Sequence, residues 1–248
     1  MANRLPPARP MLPDLRPVGL GVMLLLAGCG GAATPGASRA DDAPTTRGEV
    51  GDRPSVRGEV GALDQMAVEE RIDRVVDKVT RCVDEGRSRF PLLGGDIDVT
   101  VVIDQTGHGE PELSRSTLGD HRVEACILDA FAAESWPRPV GGERGTVGKS
   151  LSFDPGGDLE VQDWDASALD AAMRRDDPSA YGELRDKLVG CLAGKDGQVT
   201  FYLDEDGLVR AAGAAAPRQA VDCLTTTLQT TSFPAPGGSF VKVTVALP

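Results

Sequence analysis

From Val68 onward, apolar residues return at the spacing of a helix: Val68, Ile72, Val75, Val76, Val79, Cys82 and Val83. They form one stripe on a 3.6-residue repeat. Asp64 stands where an N-cap belongs, and Gly86 is the expected stop. The other face is charged, with Glu70–Arg74 and Asp77–Arg81 at favourable i,i+4 spacing, and reads as solvated. At Ile97 the pattern changes. Ile97, Val99, Thr100, Val101, Val102 and Ile103 make a β-branched run that predicts a strand. Asp104-Gln105-Thr106-Gly107 predicts a hairpin turn, with Gly107 suited to positive φ. The return strand, about 110–114, holds Pro111, which has no N–H for a ladder and so predicts an edge strand or a bulge. Gly119-Asp120 then caps a helix with Val123, Cys126, Ile127, Ala130 and Phe131 on one face, ended by Pro137 and Pro139. Residues 146–153 predict a last strand.

The same order returns near the C-terminus. Residues 184–192 predict a short helix bearing Cys191. Residues 198–204 (QVTFYLD) match 98–104 (DVTVVID), and Glu205-Asp206-Gly207 matches the turn. Cys223-Leu224 stands for Cys126-Ile127, Phe233-Pro234-Ala235-Pro236 for Trp136-Pro137-Arg138-Pro139, and 240–246 (FVKVTVA) for the last strand. The fold class expected is α+β: two tandem small domains, each helix-strand-strand-helix-strand, with two helices on one face of an antiparallel sheet. The first spans 63–154 and a degenerate second spans 179–248. Residues 155–178 between them read as an acidic linker with a short helix at 166–175.

The N-terminal part has no such patterning. Arg4, Arg9 and Arg16 precede an apolar run at 18–27 (VGLGVMLLLA), too short to span a ~30 Å hydrocarbon core. A basic region followed by a short apolar one reads as a secretory signal peptide, residues 1–28. Leu26-Ala27-Gly28-Cys29 resembles the bacterial lipobox, in which the cysteine is acylated and becomes the mature N-terminus. The plainer alternative is an ordinary signal peptide with a chance cysteine. Lipidation of Cys29 implies a protein anchored to the membrane, and Gly30 after it favours the outer membrane. Residues 29–62 are rich in Gly, Ala, Pro and charge and read as a disordered tether. Within it Arg47-Gly48-Glu49-Val50-Gly51 recurs as Arg57-Gly58-Glu59-Val60-Gly61, a spacer repeat or a short ligand for another protein.

Composition narrows the partners. The chain of 248 residues carries a formal net charge of −12, so a phosphate backbone is an unfavourable partner and nucleic acid is not expected. Aromatic residues are only 4%, which leaves aliphatic cores in need of staples. Four of the five cysteines can supply them. With Cys29 lipidated, Cys82, Cys126, Cys191 and Cys223 allow three connectivities. Only Cys82–Cys126 with Cys191–Cys223 respects the internal repeat, and buried free thiols are the alternative.

Several motifs in order, Arg81-Cys82, Ile103-Asp104-x-x-Gly107, Ser116-Thr117-Leu118-Gly119-Asp120, Val123-Glu124-x-Cys126-Ile127 and Trp136-Pro137-x-Pro139-x-Gly141-Gly142, resemble the AgmX/PglI C-terminal domain, which is similar to the TonB C-terminal fold. The resemblance covers about 63–154. It implies a periplasmic interaction module that adds a partner's strand to a sheet edge. Ser116, Thr117, Leu118, Gly119, Asp120 and Trp136 do not recur in the second copy, so they are the candidate recognition residues.

No catalytic constellation is expected. His108 and His121 have no second ligand at metal spacing. Ser116 near His121 is explained by turn and cap bonding. Asp204-x-Asp206 lacks the later oxygen ligands of a calcium loop. No cofactor, metal or small-molecule substrate is expected. The reading is a non-enzymatic envelope lipoprotein that binds an unidentified envelope protein. The alternatives are a purely structural, self-pairing envelope protein and an enzyme with an unrecognised site.

Overall fold

The computed structural model describes residues 60–156 and 160–248. All of them fall in one compact unit, Pro54–Pro248. The signal peptide, Cys29 and the tether before residue 60 lie outside the described residues. The architecture is mixed α+β, with two sheets and two separate hydrophobic cores.

The first lobe opens with α1 (Gln65–Arg89), capped by Asp64, whose side chain accepts from Ala67 N–H. Its stripe of Ile72, Val75, Val79, Cys82 and Val83 is buried. Gly86 does not stop this helix. A Cβ there would lie 2.4 Å from Val123 Cγ2 and 2.6 Å from Leu93 Cδ2, so glycine is needed where α1 meets its neighbours. Strand β1 (Gly95–Asp104) follows, then β2 (Gly109–Ser116), α2 (His121–Ala132) and β3 (Arg144–Phe153). The sheet order is β2-β1-β3, both pairs antiparallel. In β1 burial alternates, because one face meets the helices and the other meets water. Pro111 lies on edge strand β2, which also carries a register break opposite Asp98/Val99. The turn at 104–108 is closed by Asp104 Oδ1, which accepts from the N–H groups of Thr106 and His108, and Gly107 has φ +85°.

The second lobe begins earlier than its sequence pattern implies. Residues expected as linker form β4 (Val161–Trp164) and α3 (Ala166–Met173), ahead of α4 (Ala180–Leu192), β5 (Gly197–Leu203), β6 (Val209–Ala215), α5 (Arg218–Thr230) and β7 (Phe240–Leu247). The boundary expected at 179 is therefore too late. The acidic side chains here face outward, while Leu169, Ala172 and Met173 are buried in the second core. The sheet order is β4-β7-β5-β6, with β4 parallel to β7.

The registers of the two sheets correspond. Ile103 faces Gly145 and Leu203 faces Val241; Val101 faces Val147 and Phe201 faces Val243. Just before each first helix the chain also does the same thing twice. Val60 bridges in parallel to Arg144, and Val161 pairs in parallel with Phe240. Four residues on, Asp64 and Asp165 each cap a helix, bonding the N–H groups of Ala67 and Ala168. A single helix, α1, follows the first of these caps, and the broken pair α3 and α4 follows the second.

Candidate functional site

The last residue of β2 and the loop from it to α2 hold five of the six candidate recognition residues. This segment faces the second lobe. Ser116 and Leu118 are fully buried, and Asp120 is nearly so. The backbone of Ser116 is held from β5: its N–H donates to Gln198 Oε1 (3.1 Å) and its carbonyl accepts from Thr200 Oγ1 (3.1 Å). Thr117 Oγ1 accepts from Asp96 N–H (2.9 Å), which ties the loop to β1. Gly119 has φ +74°, and a Cβ there would lie 3.0 Å from the Tyr202 ring. Asp120 caps α2 through the N–H groups of Arg122 and Val123, and it pairs with Arg89 (3.5 Å). Its carboxylate is therefore committed.

Trp136, the sixth, is elsewhere and equally unavailable. It is 4% exposed, stacks on Phe131 with ring centroids 6.3 Å apart, and donates its indole N–H to Phe131 O (3.2 Å). Its ring and backbone also fill the space beside Gly107 and Gly109. Its packing role is that of a core residue.

Glu124 is the centre of the contact between the lobes. Its Oε1 accepts from Ser116 Oγ (2.6 Å) and its Oε2 from Ala214 N–H in β6 (2.9 Å), with Gly119 N–H as a further donor. Desolvation pushes its carboxyl up from the ordinary glutamate range, and the donors oppose the shift. A Cβ on Gly213 would lie 2.3 Å from Glu124 Oε2, so β6 admits the carboxylate only because glycine stands there. One turn away, His121 Nδ1 lies 3.2 Å from Ala212 O and is placed to donate to it. Side chains of α2 thus answer an N–H and a C=O on the outer edge of β6, much as a neighbouring strand does.

A second contact is centred on Gly94. Its carbonyl accepts from Tyr202 O–H and from Lys242 Nζ, each at 2.8 Å. Phe90 meets the Tyr202 ring edge-on at 4.9 Å. Burial raises the Tyr202 phenol and lowers the Lys242 ammonium.

These contacts were missed in the sequence, although two signals were present. Phe201-Tyr202-Leu203 is apolar without alternation, and in β5 both faces are buried. Glu124 stands three residues before Ile127 and seven before Phe131, on the buried stripe of its helix.

The sheet edges differ in how they are closed. On β7, residues 240–243 are covered by β4. Among the described residues the corresponding edge of β3 is met only at its start, where Gly61 N–H donates to Arg144 O (2.7 Å). Arg144 therefore turns its backbone groups away from β1, and strand alternation turns those of Thr146, Gly148, Ser150 and Ser152 the same way. All four are exposed, and among the described residues no backbone group bonds to them there.

The disulfides are Cys82–Cys126 and Cys191–Cys223, each joining the helix before a hairpin to the helix after it. Ser116 Oγ donates to Glu124 and accepts from Leu118 N–H, and His121 turns to Ala212, so serine and imidazole do not form a nucleophile–base pair. Among the described residues no group of three or more His, Cys, Asp or Glu side chains is placed to hold a metal ion. Among them, too, no helix is long and apolar enough to cross a membrane. Comparison with family models, with curated proteins and with solved structures finds no match for the chain.

Proposed function

We propose that this protein is a non-enzymatic lipoprotein of the bacterial cell envelope, anchored through Cys29 to the outer membrane, that captures an extended segment of an envelope partner by strand addition. Its two lobes are two copies of one TonB-C-like fold, the first carrying the binding edge and the second bracing it. The observation that carries this reading is the difference between corresponding edges. The chain lays its own β4 along β7, yet among the described residues nothing covers 146–152 of β3 after a single bridge from Val60. An open edge offers a row of N–H and C=O groups, and strand addition satisfies them. The motif resemblance read from the sequence points to the same kind of binding.

The second reading, a purely structural envelope protein, is favoured by one observation: Glu124 and His121 close the β6 edge from within the molecule. The two readings separate in one experiment. A photo-crosslinking side chain at exposed Thr146 or Ser150 in the full-length protein should capture one envelope protein in cells. Gly148→Pro should abolish that capture while the protein stays folded, because it removes an N–H that faces away from β1. Crosslinks that are absent, or only to a second copy of the chain, would refute strand capture and favour the structural reading.

A further inference from the structure

A groove of about 1060 Å³ separates β2 and α2 of the first lobe from the start of α5 and the approach to β5 in the second. Across its mouth runs one exposed ion pair, Arg218 Nη2 to Asp129 Oδ1 at 3.0 Å. Its volume is at the upper end of the range for ligand clefts, and such clefts favour the meeting of two lobes. Its shape is long: β2 supplies one wall over the seven residues 109–115, roughly 24 Å at the rise of an extended strand. Pro111, Leu113, Leu128, Ala132 and Val221 line it, and all are half-buried.

The charge around it is one-sided. Arg115 is taken by Asp96 and Asp98, and Arg218 by Asp129. That leaves Asp196 and Asp222 on the second-lobe wall against Lys195 alone, while exposed Glu110 and Glu112, on the outer face of β2, stand at the opposite rim. Among the described residues none of these four carboxylates forms an ion pair. An occupant must therefore be elongated, apolar along its body, and positively charged at its margins, toward the second-lobe wall on one side and the β2 rim on the other. The backbone of β2 is a poor template for a strand, since Pro111 lacks an N–H and the ladder is broken near Asp98. Side chains do the recognising here.

We infer that this groove binds an extended, lysine- or arginine-bearing segment of a partner polypeptide. The site is distinct from the β3 edge and does not depend on strand addition there. Its test is hydrogen exchange on the full-length protein with an eight-residue peptide of alternating valine and lysine, beside one of alternating valine and glutamate. The lysine peptide should slow exchange at 109–115 and 216–222, and the glutamate peptide should not. Glu112→Lys combined with Asp222→Lys reverses one exposed charge on each side of the groove. It should weaken the lysine peptide about tenfold with an unchanged thermal midpoint. Equal binding of the two peptides, protection confined to 146–152, no protection at millimolar peptide, or undiminished binding by the charge-reversed variant would each overturn the assignment.

Discussion

Glu124 Oε2 accepts the backbone N–H of Ala214 at 2.9 Å, joining residues 90 apart in sequence across the contact between the lobes. A carboxylate in that position does more than add one bond. It closes the edge of β6, orders Ser116, and sets how α2 of one lobe lies on the sheet of the other.

Replacing it with alanine should be costly. Glu124→Ala leaves the buried Ser116 hydroxyl and Ala214 N–H without their acceptor, and an unsatisfied buried group costs ~1–3 kcal/mol. We expect a loss of roughly 3 kcal/mol, read from the denaturant midpoint, together with faster amide exchange at 212–214.

The same carboxyl has a pH signature. Its folded pKa is raised above the unfolded value of ~4.3. The folded state therefore holds that proton more tightly than the unfolded chain does. The contribution is full below the unfolded pKa and is lost as pH rises through the folded pKa. Half-buried Asp98 and exposed Asp104 and Asp177, lowered by their hydrogen bonds, act in the opposite sense. The measurement is accordingly the difference in stability between wild type and Glu124→Gln. That difference should move against wild type as pH rises from about 4. A pH-independent difference would contradict the upward shift of this carboxyl in the folded protein.

Gly213→Ala should mimic part of the Glu124 loss, because its Cβ would lie 2.3 Å from Glu124 Oε2. Forced displacement in a packed interior costs ~1–3 kcal/mol. Both substitutions break one contact, so the double variant should be well short of additive in a double-mutant cycle.

The disulfides should each matter to the whole molecule. They span 44 and 32 residues, and on the chain-entropy model each is worth about 4 kcal/mol. Cys82→Ser with Cys126→Ser, and separately Cys191→Ser with Cys223→Ser, should lower the unfolding midpoint in non-reducing buffer. Reductant should bring wild type toward the variants.

Trp136→Ala separates framework from recognition. With the ring stacked on Phe131 and its N–H bonded in the core, we expect a loss of about 3–5 kcal/mol in thermal or chemical unfolding. A variant of unchanged stability would return Trp136 to the list of recognition residues.

Much of the fold was legible because its causes are local. The β-branched run at 97–103, the Asp-x-x-Gly turns, the caps at Asp64 and Asp120, and Pro111 on an edge all follow from backbone geometry within a few residues. The cysteine pairing was legible for a different reason: an internal repeat makes the sequence its own comparison, and the pairs it selects are the ones the structure contains.

What tertiary structure alone decided is where each surface goes. Gly86 reads as a stop, yet it is the point at which α1 admits Val123. Residues 161–173 read as linker, since their acidic residues dominate the composition and their few apolar ones matter only beside β7 and the second core. Ser116 to Asp120 read as a surface for a partner, and the partner is the second lobe of the same chain. Sequence determines which segments form strands and helices, because that depends on near neighbours and periodicity. Whether a face, an edge or a carboxylate meets water or protein depends on residues a hundred positions away, and only the packed molecule brings those together.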